Sequence, residues 1–407
     1  MLDVVVVDRG RNLAALEPAW KRLCAQRPEL VLTPTWVRSW WRVYGPTGGR
    51  KLRTLVVRDE AGELVGLWPL LSRIAMEKRA IPYRRLEMIG SGEPRRDEVC
   101  SDYLAPLVSP ARRREVIEAM AAALAEGRAG TFDDLVIPDM PAEDPVVRDL
   151  AETLGGHGFD VSLTPCGHCP FVALPSTWEA YLAALDGDRR YFVKRSLREM
   201  ETWAGKRRVE LTRIEREVDL DGGLRTLIAL HEGRWDSGGV FQSPLFSAFH
   251  RHVMREMLRG EDGRLDLLQL RVGGEPIAAI YNLVVGNKTY FYQSGRRTDL
   301  PAKVRPGIVI HALAMQRAIA DGQREYDFMK GDSQYKQKLS TGSHPLVQLR
   351  AVSNRPLTRV KDGLLRVSVD LARRLDAARP AGRAPNEAEP ASRAEPASRA
   401  EPGDKTP

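Results

Sequence analysis

A helix that begins just after Arg305, Pro306 and Gly307 would present unpaired backbone N–H groups beside a positive charge, and the glycine would let an anion reach them. Phosphate is the natural ligand of such a turn. Two carboxylates follow closely. Asp327 falls within the predicted strand 324–329 and Asp332 just beyond it, and either can accept a proton from an attacking group. Alternation along that strand sets Tyr326 and Phe328 on one face and Glu325, Asp327 and Met329 on the other. A carboxylate on an otherwise buried strand needs a partner, so Asp327 is either a base or half of an ion pair with an arginine. Asp332 can equally cap a turn together with Ser333.

The elements that must hold these groups are legible around them. Over residues 289–294, Tyr290 and Tyr292 alternate with Thr289, Phe291 and Gln293, a β-branched and aromatic run that predicts a strand. After the polar connection 295–305, Ile308, Ala312, Met315 and Ile319 share one helical face, with Gly322 placed for the C-terminal cap. Upstream, 224–235 and 244–258 carry helical patterns, and 265–272, 277–285 and 288–294 predict strands. Gly273-Gly274-Glu275-Pro276 and Gly286-Asn287 join those strands as hairpins, since glycine and asparagine tolerate the positive φ of tight turns. The first half runs in a similar order with no residue-level repeat: strand 2–7, helices near 13–24 and 35–44, and strands 52–58 and 64–71. Helix 111–124, strand 132–137, helix 145–154 and strand 159–163 complete it.

Tyr292-Gln293-Ser294-Gly295, then Pro306-Gly307 opening a helix, then Tyr326-Asp327-Phe328 with Lys330-Gly331-Asp332 and Tyr335-Lys336, resemble the acetyltransferase domain associated with bacterial cellulose and exopolysaccharide synthesis. That domain is of the GNAT superfamily, and its close relatives include the Fem-type aminoacyltransferases that build peptidoglycan cross-bridges. The resemblance is strongest over about residues 170–350. It implies an α/β (α+β) fold of two tandem GNAT-like domains, each a mixed, mostly antiparallel sheet flanked by helices. Residues 1–165 would be a degenerate first copy and 166–356 the acyltransferase domain. In the first copy the loop Ser109-Pro110-Ala111-Arg112-Arg113-Arg114 lacks the glycine that lets a phosphate approach. The expected work of that copy is to cover an edge of the second and shape the acceptor cleft.

The resemblance also implies roles. Acetyl-CoA or another acyl-CoA would be the donor, held at Tyr292, Gln293, Ser294, Arg305, Pro306 and Gly307, with a backbone N–H of the strand ending Tyr292-Gln293-Ser294 polarising the thioester carbonyl. Tyr335 matches the place of the tyrosine that protonates the leaving thiolate, the alternative being a cap on the core edge. His231 lies on the helix lining the acceptor side, as base or acceptor contact, or simply as a packing residue. Lys330, Asp332 and Lys336 would grip a substrate carboxylate or phosphate, or be solvated. No metal is expected: Cys166-Gly167-His168-Cys169 lacks a second half to close a zinc site, and four cysteines in 407 residues read as ordinary thiols.

No run approaches the ~20 apolar residues needed to cross a bilayer, and the start lacks signal-peptide features, so the expected compartment is the cytoplasm. A net charge of +8 favours anionic partners such as coenzyme A, nucleotide sugars, RNA or acidic lipid headgroups. In segment 189–208, Val193, Leu197, Met200 and Ala204 form a stripe that should dock, leaving a basic face to solvent, RNA or a polyanionic sugar. Residues 357–378 form a basic helix whose stripe Val360, Leu364, Val367, Leu371 and Leu375 should dock on the domain, peripheral membrane contact being the alternative. Residues 379–407, rich in Ala, Pro, Glu, Arg and Ser, predict a disordered tail. Three functions fit this sequence. The first is transfer from acyl-CoA to an amine, a sugar or a cell-envelope or exopolysaccharide precursor. The others are a Fem-like transfer from charged tRNA and a non-catalytic scaffold of polysaccharide assembly.

Overall fold

A computed structural model describes residues 2–77, 81–233, 239–260 and 262–377. The predicted tail and Trp235 lie outside them. The first half contains β1 (Asp3–Val7), α1 (Gly10–Ala15), α2 (Glu17–Gln26), α3 (Pro34–Tyr44), β2 (Lys51–Leu52), β3 (Thr54–Arg58) and β4 (Leu64–Trp68). It continues with β5 (Leu70–Glu77), β6 (Ile81–Met88), β7 (Leu107–Val108), α4 (Arg113–Ala125), β8 (Asp134–Pro141), α5 (Pro145–Gly156) and β9 (Asp160–Ala173). The second half contains α6 (Trp178–Ala184), α7 (Gly187–Ala204), β10 (Val209–Arg213), α8 (Glu217–Glu232), α9 (Pro244–Arg259), β11 (Arg264–Val272) and β12 (Glu275–Val285). Then come β13 (Lys288–Arg296), α10 (Pro306–Ala320), β14 (Glu325–Asp327), α11 (Gln334–Leu339), β15 (Gly342–Val352) and α12 (Pro356–Ala377). The hairpin turns carry the backbone their sequence predicts, with φ of +59°, +86° and +60° at Gly273, Gly274 and Gly286.

A four-stranded sheet, β1-β3-β4-β7, stands beside an eleven-stranded sheet in the order β10-β11-β12-β13-β14-β9-β15-β8-β6-β5-β2. Most neighbours are antiparallel. The parallel pairs among the described residues are β6 with β8 and β13 with β14, each joined through one crossover segment that carries α4 or α10. The strand–helix–strand unit thus occurs once per half, as tandem GNAT-like copies require.

The halves are interlocked. β9, the last strand of the first half, pairs with β14 of the second; β15, the last strand of the second, pairs with β8 of the first; and β9 and β15 pair with each other from Asp160↔Val352 to Phe171↔Gly342. One apolar core also crosses between them. Trp36 of α3 meets Phe249 of α9 edge-on at 4.9 Å and Tyr292 of β13 at 5.8 Å, and Tyr292 lies 4.3 Å from the His250 ring. Removing one such buried aromatic costs about 3–5 kcal/mol.

This exchange predicts how the chain tolerates cutting. A fragment starting at Cys166 loses the part of β9 that pairs with β15 between Val161 and Pro165, and it exposes the aromatic face of α9 and β13. Expressed alone, residues 166–356 should lack sigmoidal denaturant unfolding and near-ultraviolet dichroism, whereas co-expression with residues 1–165 should restore both.

Candidate active site

β13 and β14 are paired for three residues, Lys288↔Glu325, Thr289↔Tyr326 and Tyr290↔Asp327, and then part. Phe328 leaves the ladder and donates its N–H to the Pro170 carbonyl (2.9 Å). β13 runs on to Arg296 with a bulge at Tyr292, where the register with β12 slips between Tyr281↔Gln293 and Asn282↔Phe291. Within the parted stretch the Ser294 N–H donates to the Gln293 side-chain oxygen (2.9 Å), and the Ser294 carbonyl accepts from His231 Nδ1 (2.8 Å). His231 sits buried in the last turn of α8, its ring edge-on to Phe241. Gly295 permits this approach, because a Cβ there would collide with the backbone of Leu230 and His231.

α10 opens at Pro306 close to the end of β13, and Arg305 is its N-cap residue without a side-chain cap. Ile308 and Val309 both donate to the Arg305 carbonyl at 3.1 Å and Pro306 has no N–H, so an anion here meets the Gly307 amide first. Arg296 packs at that glycine, and Arg305 precedes it at the helix start. The Arg296 Cδ would lie 3.2 Å from a Cβ on Gly307, and Arg305 rests 5.2 Å from the Phe192 ring, which Lys338 also approaches at 4.6 Å.

Asp327 is fully buried. It accepts from Lys288 Nζ (2.8 Å), the Tyr103 hydroxyl (2.5 Å) and the Met329 N–H (2.6 Å). Its partner is therefore a lysine, not the arginine that the sequence suggests. Lys288 also reaches Glu325 (3.1 Å) and lies 4.0 and 4.7 Å from the rings of Tyr103 and Tyr290. Burial works against the Lys288 charge, yet Tyr290, Asp327, Glu29 and Glu325 hold its pKa well above the usual lysine range. Glu325, Asp327 and His344 come close enough together to suggest a metal site, but this ammonium already stands among their oxygens.

The loop after β14 is tightly held. Met329 has φ +60°; the Lys330 N–H donates to Asp102 (2.6 Å) and its ammonium pairs with Asp139; Lys336 is buried with Nζ on the carbonyls of Met329 (3.3 Å) and Lys330 (3.1 Å). Asp332 is exposed and accepts from Gln337, which fits a turn cap. Tyr335, on α11, stacks on the His311 ring of α10 at 5.4 Å, and His311 Nδ1 is 2.9 Å from the Tyr326 hydroxyl. Sequence reasoning passed over His311. Its one signal was a titratable residue on the buried face of an otherwise apolar helix. The structure thus gathers Gln293, Ser294 and His231 at the parted strands, with Arg305, Pro306 and Gly307 opening α10 near the end of β13. Lys330 and Lys336 pin the loop, and Asp327 anchors the point of parting.

In the first half the equivalent opening, past Glu87↔Val136, is filled by the chain itself. Tyr103 donates its N–H to the Asp139 carbonyl (2.8 Å), and Ser101 and Leu104 crowd Gly90. The same plug then braces the second half, through Asp102 on Lys330, Tyr103 on Asp327, and the Val99 carbonyl on the Tyr292 hydroxyl. Nothing in the composition of 98–104 announced this. All four non-glycine residues with positive φ among those described, Cys100, Tyr103, Asp139 and Met329, lie at this junction. The arginines of the first-copy loop are taken up by acids, Arg112 by Glu115 and Arg113 by Asp149 (2.7 Å each).

The buried Asp327 predicts a stability effect. Asp327→Asn should cost about 3 kcal/mol in urea denaturation, because it leaves a desolvated ammonium with one fewer counter-charge; an unchanged midpoint would show that the pair is not structural. A second effect concerns Glu93, which follows Gly92 near the plug and accepts from the Trp40 indole. Burial pushes its carboxyl from the ordinary 4.5 up to about 7. A raised carboxyl holds its proton in the folded state, so its stabilising contribution is full below pH 4.5 and falls away as pH rises to about 7. Glu93→Gln should flatten that decline in a pH series of unfolding midpoints.

Residues 187–337 match the acetyltransferase (GNAT) domain family. No curated protein matches the sequence significantly. Among solved structures, the crystal structure of FemX is similar at 13% identity and a TM-score of 0.57, the match covering 88% of this chain and 99% of that one. The structure of L-PGS from Bacillus licheniformis is similar at 11% identity and a TM-score of 0.50, over 89% of this chain and 98% of that one. At such identities the likeness concerns fold alone. The chain folds as two interlocked halves, and the second carries a segment, residues 187–337, that is similar to the acetyltransferase (GNAT) domain.

Proposed function

We propose that this protein is an acyltransferase that takes its acyl group from a coenzyme A thioester and passes it directly to an amine or hydroxyl acceptor. The observation that supports it most is the parting of β13 from β14 ahead of the Ser294 amide, on a strand whose last residue, Arg296, packs at Gly307 in the first turn of α10. In this reading an extended thioester lies between the parted strands. Its pyrophosphate meets the Gly307 amide with Arg296 and Arg305, and its carbonyl oxygen takes the Ser294 N–H once the Gln293 side chain withdraws.

The acceptor nitrogen or oxygen attacks the carbonyl carbon, the new C–N or C–O bond forms, and the C–S bond breaks. His231, held by Nδ1 on the Ser294 carbonyl, is the residue assigned to take the acceptor's proton. Asp327 is committed to Lys288 and Tyr103 and serves as positioning residue. Tyr335 returns a proton to the thiolate, its ring oriented by His311. An amine, sugar or cell-envelope or exopolysaccharide precursor remains the proposed acceptor class.

The Fem-like reading, with charged tRNA as donor, draws on the basic segment around α7. Several of those charges are engaged internally: Arg189 on the carbonyls of Lys338 and Ser340, Arg190 on that of Leu185 (2.9 Å), and Arg195 beside Glu199 (3.7 Å). The helix docks through Val193, Met200 and Ala204. This favours the thioester donor.

Steady-state turnover of acetyl-CoA with a panel of amines and amino sugars tests the proposal. Tyr335→Phe should lower kcat roughly 100-fold with little change in the donor KM. Product formation that requires aminoacyl-tRNA, with none from any acyl-CoA, would replace this reading with the Fem-like one.

A further inference from the structure

α12 is mounted the opposite way from what an amphipathic helix on a soluble domain leads one to expect. Its polar side faces the body. Buried Thr358 donates to Asp133 (2.8 Å), Lys361 pairs with the same carboxylate (2.9 Å), and Asp362 is buried against Arg350 (2.8 Å). Its apolar stripe faces outward, with Leu357, Val360, Leu364 and Val367 exposed by 61%, 60%, 58% and 66%. At Val360, Leu364 and Val367 the expected docking on the domain does not occur, Leu371 and Leu375 lying outside the described side chains; the sheet face offered to the helix is charged, Arg85 and Arg350 both pairing with Asp134 across β6, β8 and β15.

Four successive apolar residues at 3-4-3 spacing form a designed-looking face, and a lone exposed leucine would need no account. The chain that follows offers no cover, since residues 378–407 contain no valine, leucine, isoleucine, methionine or aromatic residue. A second copy suits the face poorly. Continuing the 3-4 spacing places Leu371 and then Arg374 in the seam, and a cation is costly in the seam of a helix pair. Charge points the same way. Between Arg355 and Ala377 six basic residues face three acidic ones, and Asp362 is turned inward, so the exposed residues from Pro356 to Val367 include Arg359 and no acid. No helix among the described residues is long and apolar enough to cross a membrane, so the contact is one of lying on the surface.

We propose that α12 binds the surface of an anionic membrane, with Leu357, Val360, Leu364 and Val367 entering the headgroup layer and its basic residues meeting lipid phosphates. The polar mount on Asp133 and Arg350 fixes the helix to the body, so the body is held at the bilayer with it. This inference is independent of the donor proposed above.

Flotation of the full-length chain with vesicles tests it, using phosphatidylcholine alone and phosphatidylcholine with about 30 mol% phosphatidylglycerol. The chain should float with the anionic vesicles and little with the neutral ones, and raised salt should weaken the association. Val360→Asp with Leu364→Asp, both at exposed positions, should reduce partition by roughly tenfold or more with unchanged circular dichroism. Two results would overturn the proposal: no flotation with either vesicle, or equal flotation of parent and double variant. A concentration-dependent dimer by light scattering, abolished by the double variant without vesicle binding, would assign the face to a second copy instead.

Discussion

Everything at the candidate site rests on the place where β13 and β14 stop being neighbours. The paired stretch of these two parallel strands is held by a buried charge cluster that ends at the point of parting. Lys288 from one strand bonds Asp327 and Glu325 from the other, while Tyr103 arrives from the first half to cover both the lysine and the carboxylate. A buried pair of this kind stabilises little beyond its desolvation cost, but breaking it is expensive. It therefore defines one parting point. Past it β13 bulges, carrying Ser294 alongside α8 and Arg296 to Gly307 of α10.

The first half supplies this geometry without an open gap of its own. Its equivalent opening is plugged by residues 98–104, and the plug's outward side chains become the wall of the second half. Exchange of β9 and β15 between the halves fixes the two openings relative to each other. Positive φ at Cys100, Tyr103, Asp139 and Met329, at an expected cost on the order of 1–3 kcal/mol each, concentrates strain where these segments meet. Such strain persists only where surrounding packing over-determines it, as the aromatic core around Trp36 and Tyr292 does here.

What was legible in the sequence was local. The β11–β13 meander, the helix opened by Pro306 and closed near Gly322, and the face of β14 that carries Asp327 all follow from period and turn chemistry, and all are present. What was not legible depends on contacts distant in sequence. Nothing near Asp327 says that its partners are Lys288 and a tyrosine 224 positions away. Nothing near Lys336 says that its ammonium folds back onto two carbonyls. The amphipathic pattern of α12 was readable but its orientation was not, because that is set by Asp133 and Arg350. Tyr335 could be placed from its position after β14, whereas the stacking His311 belongs to a helix whose apolar pattern hid it.

The central claim is that the Ser294 and Gly307 amides are the two ends of one donor site. Amide chemical shifts of both residues, followed by nuclear magnetic resonance while acetyl-CoA is added, address this most directly. The account predicts that both signals move on a single saturable curve as the thioester displaces the Gln293 oxygen and its phosphates settle at α10. Binding of acetyl-CoA with either amide unmoved would contradict it.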